Sequence, residues 1–333
     1  MSNDVFLQIM INKDSIIDKM NSLGKDRTPF LFIIDFEQEN SYIIDNPFNQ
    51  SNILFTLNAI SNSPTYSSSQ KSVSPNIKPY PKSFENYNNQ FNIIRKGLLN
   101  GDSFLANLTI KTKIDINLSL EEIFYRANSK YKLLLKDKLV CFSPESFVRI
   151  NNNKISTYPM KGTIDASIKN ASDVILNDYK ETCEHNTIVD LMRNDLNIIA
   201  SKVRVERFRY IDELKTSRGN ILQVSSEIVG DLDKDYNTKL GDIIFNLLPA
   251  GSISGAPKKS TLEIIKKSEV VNRGFYSGVF GFFDGMNLDS AVIIRFIEKE
   301  DDNYYFRSGG GITINSNAYD EYLEAINKIY LPF

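Results

Sequence analysis

Residues 276–314 have the sequence YSGVFGFFDGMNLDSAVIIRFIEKEDDNYYFRSGGGITI, and this stretch decides the fold class. It contains three consecutive strand-like segments, 276–284, 290–298 and 303–314, which are rich in aromatic and β-branched residues and separated by short polar turns. Strands joined by such short turns pair antiparallel, because a parallel pair needs a longer crossover. A helical pattern follows at 318–329. The stretch therefore predicts antiparallel sheets covered by helices, an α+β layout.

The rest of the chain continues this alternation of strands and helices. Strands are predicted at 30–36, 41–44, 103–114, 138–150, 203–210 and 221–229, and helices at 83–100, 118–135, 171–194, 235–248 and 258–267. Between residues 61 and 89 the chain is rich in Ser, Asn, Pro and Tyr, which predicts a loop or an inserted surface segment. Because we find no internal repeat and no linker after residue 90, we predict one domain over residues 1–333.

The composition excludes several classes of function. The chain has 333 residues, 41% of them hydrophobic, and no apolar run approaches the ~20 residues that span a bilayer. Lysine and arginine are dispersed and the net charge is -2, which argues against a nucleic-acid partner. Two cysteines, Cys141 and Cys183, are too few for a disulfide framework, and Met1–Val5 does not begin a secretion signal. A cytoplasmic protein without a membrane partner is expected.

The single histidine, His185, limits the chemistry further. A multi-histidine metal site is impossible, and a Ser-His-Asp or Cys-His nucleophile system could use only this residue. The chemistry is therefore expected to use carboxylates, lysines, backbone amides or a hard metal ion.

Two pairs of glutamates are candidate metal ligands. Glu181 and Glu184 lie three residues apart in a helical segment, as do Glu321 and Glu324 in the last helix. Residues at positions i and i+3 share a helix face, so each pair points two carboxylates the same way. If the two faces meet, they form an oxygen-rich site that suits magnesium, which takes few carboxylates together with water and substrate oxygens. The alternative, from spacing alone, is two solvated helix faces.

Two glycine-rich segments and one lysine are further candidates. Residues 248–258 (LPAGSISGAPK) lead into a helix, and residues 308–312 (SGGGI) end a strand. Both can present backbone N–H groups to an anion, although tight turns that need positive φ are an equal alternative. Lys161 ends a strand beside Gly162, where a solvated surface charge is the ordinary interpretation.

From about residue 84 to the end, nine segments resemble, in the same order, motifs of the chorismate-utilising enzymes. That family includes the anthranilate synthase large subunit, aminodeoxychorismate synthase, isochorismate synthase and salicylate synthase. The matching segments are 101–108 (GDSFLANL), 143–147 (SPESF), 159–163 (PMKGT), 184–196 (EHNTIVDLMRNDL), 251–258 (GSISGAPK), 273–278 (RGFYSG), 291–295 (AVIIR), 309–311 (GGG) and 321–325 (EYLEA). Each segment is weak alone, and their shared order carries the resemblance.

The resemblance implies a fold and a set of site residues. The fold would be two antiparallel β-sheets packed as a sandwich with flanking helices, as in the anthranilate synthase large subunit, with the active site between them. The chorismate-binding catalytic domain would have a shortened, divergent part at 1–82 and the family core at 84–333. Glu184 and Glu324 match direct Mg²⁺ ligands, with Glu181 and Glu321 behind them through water. The other matches contact chorismate: Gly309, Gly310, Gly311 and Lys328 around its ring carboxylate, Tyr276 and Arg295 at its enolpyruvyl carboxylate, and Ser254 and Gly255 in the anion-binding loop.

Lys161 separates activities within the family, because anthranilate synthases have alanine at this position and aminodeoxychorismate synthases have the lysine. Attack of a lysine amine at C2 of chorismate would expel the C4 hydroxyl, so that ammonia then enters at C4, para to the ring carboxylate. The amine must be neutral to attack, and burial near Mg²⁺ and arginine is expected to lower its pKa. Glu145 matches the general acid that protonates the leaving hydroxyl, which requires a raised pKa.

The resemblance therefore implies an aminodeoxychorismate synthase, a transferase that makes 4-amino-4-deoxychorismate for para-aminobenzoate and folate biosynthesis. Ammonia would come from glutamine through a separate glutamine amidotransferase partner, because the chain has no Cys-His-Glu arrangement for hydrolysing glutamine. The alternatives are anthranilate synthase component I and a non-catalytic glutaminase-docking subunit. Gln223, where anthranilate synthases have histidine, disfavours the first. Leu105, where isochorismate and salicylate synthases have lysine, disfavours those two enzymes.

Overall fold

The computed structural model describes residues 12–64, 74–216 and 219–333. The predicted loop at 61–89 lies partly outside the described residues, and Met1–Val5 lie wholly outside them. The helices are α1 (Lys13–Lys25), α2 (Phe84–Leu99), α3 (Leu120–Arg126), α4 (Ala171–Asn177), α5 (Tyr179–Asn197), α6 (Leu240–Leu247), α7 (Gly251–Ser254), α8 (Lys258–Ser268) and α9 (Ala318–Asn327), with short 3₁₀ turns at Pro47–Asn49 and Tyr236–Lys239. The strands are β1 (Phe30–Ile34), β2 (Ser41–Ile44), β3 (Ile53–Leu57), β4 (Ile60–Ser61), β5 (Ile77–Tyr80), β6 (Leu105–Ile116), β7 (Tyr131–Leu135), β8 (Leu139–Ser143), β9 (Ser146–Asn151), β10 (Lys154–Thr157), β11 (Met160–Asp165), β12 (Ser201–Thr216), β13 (Gly219–Asp231), β14 (Gly255–Ala256), β15 (Val279–Phe283), β16 (Leu288–Val292), β17 (Phe296–Glu300) and β18 (Asn303–Ile312).

Within these residues the strands form two antiparallel sheets of nine strands each. In the first, sheet A, the order is β11-β13-β10-β9-β16-β15-β1-β2, and β12 pairs with β13. In the second, sheet B, the order is β14-β6-β18-β17-β8-β7-β3-β4, and β5 pairs with β6. The prediction of an α+β fold with two antiparallel sheets and flanking helices is confirmed.

The two faces of sheet A pack against different layers, as strand β1 demonstrates. All five of its residues are buried. Phe30, Phe32 and Ile34 join a core with residues of α1, α5 and α6. Leu31 and Ile33 join a second core that is shared with β3, β7 and β8 of sheet B and forms the interior of the sandwich. The continuous apolar sequence of β1 therefore follows from burial on both faces.

Helices also cover the outer face of sheet B. Helix α3 packs on β7, β8, β17 and β18, whereas α2, α8 and α9 pack on β6 and the end of β18. Helix α2 begins after Ser83, whose hydroxyl accepts from the N–H of Asn86, and its buried positions recur with helical spacing, as predicted. None of the described helices is long and apolar enough to cross a membrane.

Two strand pairs connect the sheets and place the site. Strand β8 of sheet B continues into β9 of sheet A through Pro144 and Glu145, and β16 of sheet A continues into β17 of sheet B through residues 293–295. The segments 138–150 and 290–298 therefore each belong to two strands in two sheets, and the prediction of one strand for each is wrong. Pro144 has no N–H to donate to a ladder, which favours the break at this point.

The β8–β9 and β16–β17 connections lie side by side and are joined by backbone hydrogen bonds. The Phe142 N–H donates to the Arg295 carbonyl (3.0 Å), and the Val292 N–H donates to the Glu145 carbonyl (3.1 Å). Arg295 has a φ of +53°, in the left-handed region, where the second chain turns from one sheet to the other. Glu145 and Arg295, two predicted site residues, are thus fixed at the junction of the sheets.

Other differences from the predicted elements have similar causes. The predicted helix at 118–135 is wrong in its second half, because only Leu120–Arg126 is helical and Tyr131–Leu135 form β7 between β3 and β8. A short apolar run fits either a helix or a strand, and pairing with two neighbouring strands decides between them. Helix α1 and strands β3, β4 and β5 were not predicted, and the β12–β13 hairpin is longer than the segments predicted for it.

Gly255 provides a test of how the loop before α8 packs on sheet B. It has a φ of +133°, and an added Cβ would lie 1.8 Å from the Leu105 carbonyl oxygen. We expect Gly255→Ala to destabilise the protein by roughly 3 kcal/mol or more, because both the backbone angle and the contact with β6 must change. Gly101→Ala is the control: its φ is also positive (+79°) but nothing lies within 4 Å of its Cβ position, so it should cost about 1 kcal/mol. Urea unfolding followed by circular dichroism measures both, and equal losses would contradict this packing.

Candidate active site

One lysine and four glutamates from distant segments meet at one end of the sandwich. Lys161 lies on β11, Glu181 and Glu184 on α5, and Glu321 and Glu324 on α9. Lys161 Nζ lies 2.7 Å from Glu184 Oε2, and the charges of Glu181 and Glu324 act on the same ammonium group. We call the four glutamates the acidic cluster. The two helix faces meet at Lys161 and are only partly shielded from solvent, because the side chains of Glu184 and Glu324 are 21% and 56% exposed.

The pKa of Lys161 is raised, which is opposite to the direction expected from the sequence. Burial lowers the pKa of the amine, but the hydrogen bond and the charge of Glu184 outweigh burial, with help from Glu181 and Glu324. Lys161 is therefore an ammonium ion paired with Glu184. The sequence indicated the burial and missed the direct carboxylate contact.

A second lysine, Lys328, neutralises the other side of the acidic cluster. Its Nζ lies 2.7 Å from Glu324 Oε1 and donates to the Gly309 carbonyl, also at 2.7 Å. Burial raises the pKa of Glu324, but the charge of Lys328 and its hydrogen bond outweigh that effect, so the net pKa is lowered. Lys328 thus joins the cluster to the glycine tract of β18.

The other two glutamates lack such a close cation. Burial raises the pKa of Glu181 and of Glu321. Glu321 accepts a hydrogen bond from the Ser316 hydroxyl (2.8 Å). Glu181 Oε2 is buried and has no hydrogen-bond partner among the described residues. A buried carboxylate oxygen without a partner is unfavourable, so this atom marks the place where the cluster lacks a donor or a cation.

The acidic cluster offers the hard oxygen donors that magnesium prefers. Across residues 12–64, 74–216 and 219–333, no group of three or more His, Cys, Asp or Glu side chains is close enough to hold a metal. The two predicted direct ligands contact ammonium groups instead, Glu184 that of Lys161 and Glu324 that of Lys328. Magnesium commonly takes only one or two carboxylates, with water and substrate oxygens completing its shell. Two carboxylates that each hold a cation, beside the unpartnered Oε2 of Glu181, therefore fit this ion.

The glycine tract Gly309–Gly311 lies where β18 leaves its ladder with β17. That ladder ends at Phe296 and Arg307, whereas pairing with β6 on the other side continues through the tract. Backbone groups on one edge of the tract are thus free of strand pairing and can meet a ligand or a side chain, as the Gly309 carbonyl meets Lys328. A Cβ at Gly310 would lie 3.4 Å from Glu321 Oε2. Glycine at this position leaves that space beside the carboxylates open.

Glu145 is held by a residue that the sequence did not indicate. The Ser252 hydroxyl donates to Glu145 Oε1 at 2.5 Å. Burial raises the pKa of Glu145, and the hydrogen bond from Ser252 and the charge of Lys328 reduce this rise without reversing it. A raised pKa agrees with the expectation for a proton donor. Ser252 belongs to the 248–258 loop, but nothing in that motif distinguishes its hydroxyl from that of Ser254.

Arg295 contacts Lys328, and its charge acts on Tyr276. Burial raises the pKa of Tyr276 to about 12, and the positive charges of Arg273 and Arg295 act against this rise. Arg295 Nη1 donates to the Lys328 carbonyl (3.0 Å), and its guanidinium covers the ring of Tyr330. The residues predicted to bind the two carboxylates of one small substrate are therefore neighbours.

Ser254 and Gly255 serve the structure of their own loop. Ser254 is fully buried, and its hydroxyl donates to the Ala250 carbonyl (2.9 Å). Gly255 pairs with Ala106 of β6. The hydroxyl of Ser254 is thus used within the loop. Only backbone N–H groups of these two residues could make the predicted contact with a substrate.

His185 follows Glu184 on α5 but takes no part in the acidic cluster. Its Nε2 shares a hydrogen bond with the Ser226 hydroxyl (2.7 Å), and its ring packs edge-on against Phe208. The side chain is fully buried. Burial, followed by the positive charge of Arg209, lowers its pKa to about 4. His185 is a neutral, structural histidine in the folded protein.

The class of protein to which this chain belongs is defined by its match to a protein family. Residues 29–332 match the family described as chorismate binding enzyme, and the chain belongs to this family. The family predicted from the nine motifs is confirmed.

Among its relatives, the chain is 50% identical over 318 residues to a Haemophilus influenzae protein named uncharacterized PabA-like protein, across 95% of this chain and 96% of that one. It is 31% identical over 253 residues to aminodeoxychorismate synthase component 1 of Bacillus subtilis, across 71% of this chain and 52% of that one. The crystal structure of anthranilate synthase component I from Streptococcus pneumoniae matches with a TM-score of 0.65 and 27% identity, across 78% of this chain and 60% of that one. These two synthases are named for different products.

His185 gives a direct test of the burial behind the site, because it is the chain's only histidine and its ring signals need no assignment. We expect its Cε1–H chemical shift in metal-free protein to stay constant from about pH 8 to about pH 5.5, since its pKa is about 4. An unfolded histidine takes up its proton near pH 6.5. The contribution of His185 to the free energy of unfolding is therefore constant above about pH 6.5. It falls by about 1.4 kcal/mol per pH unit as the pH drops from there toward 4, because the unfolded state binds the proton first. A midpoint near 6.5 in the folded protein would contradict the burial.

Proposed function

We propose that this chain converts chorismate and ammonia to 4-amino-4-deoxychorismate, with Lys161 as a covalent nucleophile. The observation that carries the proposal is the position of Lys161, whose Nζ lies 2.7 Å from Glu184 and within reach of the charges on both helices of the acidic cluster. The relative named aminodeoxychorismate synthase component 1 supports the same reaction.

In this proposal chorismate is held by its two carboxylates. The ring carboxylate meets the free edge of Gly309–Gly311 and the ammonium group of Lys328. The enolpyruvyl carboxylate meets Tyr276 and Arg295, where a guanidinium fork suits two oxygens. Magnesium bound by Glu184 and Glu324 would supply further positive charge to the ring carboxylate. These contacts place the ring with C2 toward Lys161 and the C4 hydroxyl toward Glu145.

The first chemical step forms the covalent intermediate. The ammonium of Lys161 gives up a proton, and Oε2 of Glu184 is the acceptor within hydrogen-bond reach. The amine then attacks C2, both ring double bonds shift (C1=C2 to C1=C6 and C5=C6 to C4=C5), and the C4–O bond breaks. Glu145 donates its proton, so that the hydroxyl leaves as water. Because Ser252 donates to Oε1 of Glu145, that proton resides on Oε2.

The second step sets the position of the amino group. Ammonia attacks C4, both ring double bonds return to their original positions, and the bond between C2 and the Lys161 nitrogen breaks. One ammonia enters and one water leaves, and the free lysine is restored. The amino group therefore ends para to the ring carboxylate, whereas direct attack of ammonia at C2 would place it ortho.

The second candidate reaction is the ortho amination of anthranilate synthase component I, to whose solved structure the chain is similar. Two side chains of this site disfavour it. In the mechanism above, the Lys161 nitrogen is bonded to C2 of the substrate and so prevents ammonia from attacking that carbon. Gln223 of β13 lies opposite Thr163 of β11, two residues from the nucleophile, and an amide cannot take the acid–base part of the histidine found there in anthranilate synthases.

The source of ammonia is proposed to be a separate glutamine amidotransferase. Cys141 is buried and Cys183 is exposed, and neither forms a disulfide. His185 is bonded to Ser226, so the only histidine does not activate a thiol for glutamine hydrolysis. Unpaired cysteines also suit the reducing cytoplasm, which is the compartment we propose.

The nucleophile can be tested with two lysine variants of the same site. Lys161→Ala should lower formation of 4-amino-4-deoxychorismate at least ~10³-fold, because the covalent route is lost, and the residual product should shift toward the 2-amino isomer or anthranilate. Lys180→Ala is the matched control, since Lys180 is exposed and also faces Glu184, at 3.9 Å. Wild-type protein mixed with chorismate without ammonia should gain an adduct on Lys161, seen by peptide mass spectrometry. If Lys161→Ala makes the 4-amino product at the wild-type rate, the mechanism is wrong.

The metal site can be tested through the different positions of its glutamates. Glu184→Gln and Glu324→Gln should abolish magnesium-dependent turnover, because each removes a charged ligand. Glu181→Gln should reduce it by roughly 10–100-fold, as expected for a group that acts through water. Turnover measured over a magnesium titration separates the variants. Losses of equal size would refute the division into direct and indirect ligands, and full activity in a chelator would refute the metal.

A further inference from the structure

A buried arginine that touches none of the proposed reacting groups joins several parts of the site. Arg273 has 1% of its surface exposed. Its guanidinium binds both carboxylate oxygens of Glu269 (2.8 and 2.7 Å) and donates to the carbonyls of Ile253 (2.9 Å) and Asn107 (2.7 Å). The ring of Phe36 covers it, with the guanidinium carbon 4.4 Å from the ring centre. Four of the five N–H groups of the guanidinium thus bond to one carboxylate and two backbone carbonyls.

The Arg273–Glu269 pair fills a gap along the edge of β6. Strand β14 pairs with the first two residues of this edge, and β5 pairs with its last four. Between them, the Asn107 carbonyl accepts from Arg273 and the Thr109 N–H donates to Glu269 Oε1 (2.9 Å). The ion pair thus takes the place of a strand here and satisfies backbone groups that would otherwise be buried without partners.

On its opposite edge, β6 carries the glycine tract. Asn107 lies opposite Gly311, and Thr109 lies opposite Gly309. A shift of β6 along this gap would therefore move the tract relative to Lys328 and the acidic cluster. Through β6, Arg273 fixes the surface at which the ring carboxylate is proposed to bind.

Arg273 also holds two segments that are proposed to face the substrate, the Ser252 loop and the turn before Tyr276. In the loop, its guanidinium donates to the carbonyl of Ile253, the residue that follows Ser252, and the Ser252 hydroxyl in turn bonds to Glu145. The Arg273 carbonyl accepts from the N–H of Tyr276 (3.2 Å) and so closes the turn that presents the tyrosine.

The turn at 273–276 is also bonded to the residues that follow β1. Glu37 accepts from the N–H groups of Arg273 (2.8 Å) and Gly274 (3.0 Å). The Phe36 N–H donates to the Gly274 carbonyl (2.8 Å). Arg273 is therefore fixed by its backbone on one side and its guanidinium on the other.

We propose that Arg273 is a positioning residue, which sets the relative placement of the glycine tract, the Ser252 loop and Tyr276 and thereby the affinity for chorismate. The inference rests on the proposed function for the identity of the ligand, and it holds for either amination product. Lysine cannot replace the arginine here, because one ammonium group lacks the planar fork that reaches Glu269, Ile253 and Asn107 together.

Arg273→Lys tests this by separating binding from stability. We expect KM for chorismate, and Kd from isothermal titration calorimetry, to rise about 10–100-fold with a smaller change in kcat, because a displacement of about 1 Å among binding groups has effects of this size. The control is Arg149→Lys, since Arg149 also pairs with a carboxylate, that of Asp289, and covers an aromatic ring, that of Tyr158. It should lower the melting temperature without changing KM or Kd.

Glu37→Gln is the second variant, because it loosens the same turn without leaving a buried charge unpaired. In glutamine, an NH₂ group replaces one of the two carboxylate oxygens and cannot accept a hydrogen bond from a backbone N–H. KM for chorismate should therefore rise in this variant too, but by less than in Arg273→Lys. Unchanged KM and Kd in either folded variant, or an equal rise in Arg149→Lys, would overturn the inference. Chorismate consumption is followed irrespective of product, so a wild type that makes anthranilate would refute the proposed function and leave this test intact.

Discussion

The meeting of four carboxylates around Lys161 is the constraint on which the rest of the site depends. Like charges that share a partly buried site repel, and a buried carboxylate without a counter-charge is strongly unfavourable. Lys161 and Lys328 each neutralise one member of the acidic cluster, while the pKa values of Glu181 and Glu321 rise. When all four glutamates are ionised, Lys161 and Lys328 leave two negative charges, and the exposed Lys180, 3.9 Å from Glu184, offsets part of them. The proposed magnesium ion would balance the negative charge that remains.

The same constraint explains why the proposed nucleophile is an ammonium ion in this structure. A lysine among carboxylates is stabilised in its charged form even where burial opposes it. A cation at Glu184 would compete with Lys161 for the carboxylate. In the proposed mechanism, catalysis by the amine and binding of the metal would therefore be linked through one glutamate.

The fold supplies the rigidity that such a cluster needs. The paired crossings β8–β9 and β16–β17 fix Glu145 and Arg295 at the junction of the sheets. The glycine tract is held on β6, whose other edge is closed by the buried Arg273–Glu269 pair. The residues proposed to form the site thus come from both sheets and from helices α5 and α9.

The features that could be predicted from the sequence are those encoded by a local residue pattern or by a motif shared with a family. Strands β15 and β18 and the last helix within residues 276–329 follow from residue pattern and short turns, and the family follows from motifs in order. The splits of 138–150 and 290–298 between two sheets, β7 in place of a helix, and the bond between Ser252 and Glu145 depend on contacts between distant segments. The raised pKa of Lys161 was missed for the same reason, because its sign is set by a carboxylate on another element. Arg273 stood in a recognised motif, but its partners at Glu269, Asn107 and Ile253 are not visible in a sequence.

The central claim, para amination through Lys161, is tested most directly by the product that the wild-type chain forms. Purified protein would be incubated with chorismate, ammonium and Mg²⁺, and the product would be identified by nuclear magnetic resonance and mass spectrometry. The account predicts 4-amino-4-deoxychorismate, with the enolpyruvyl group retained. Anthranilate with released pyruvate, as the main product, would contradict it.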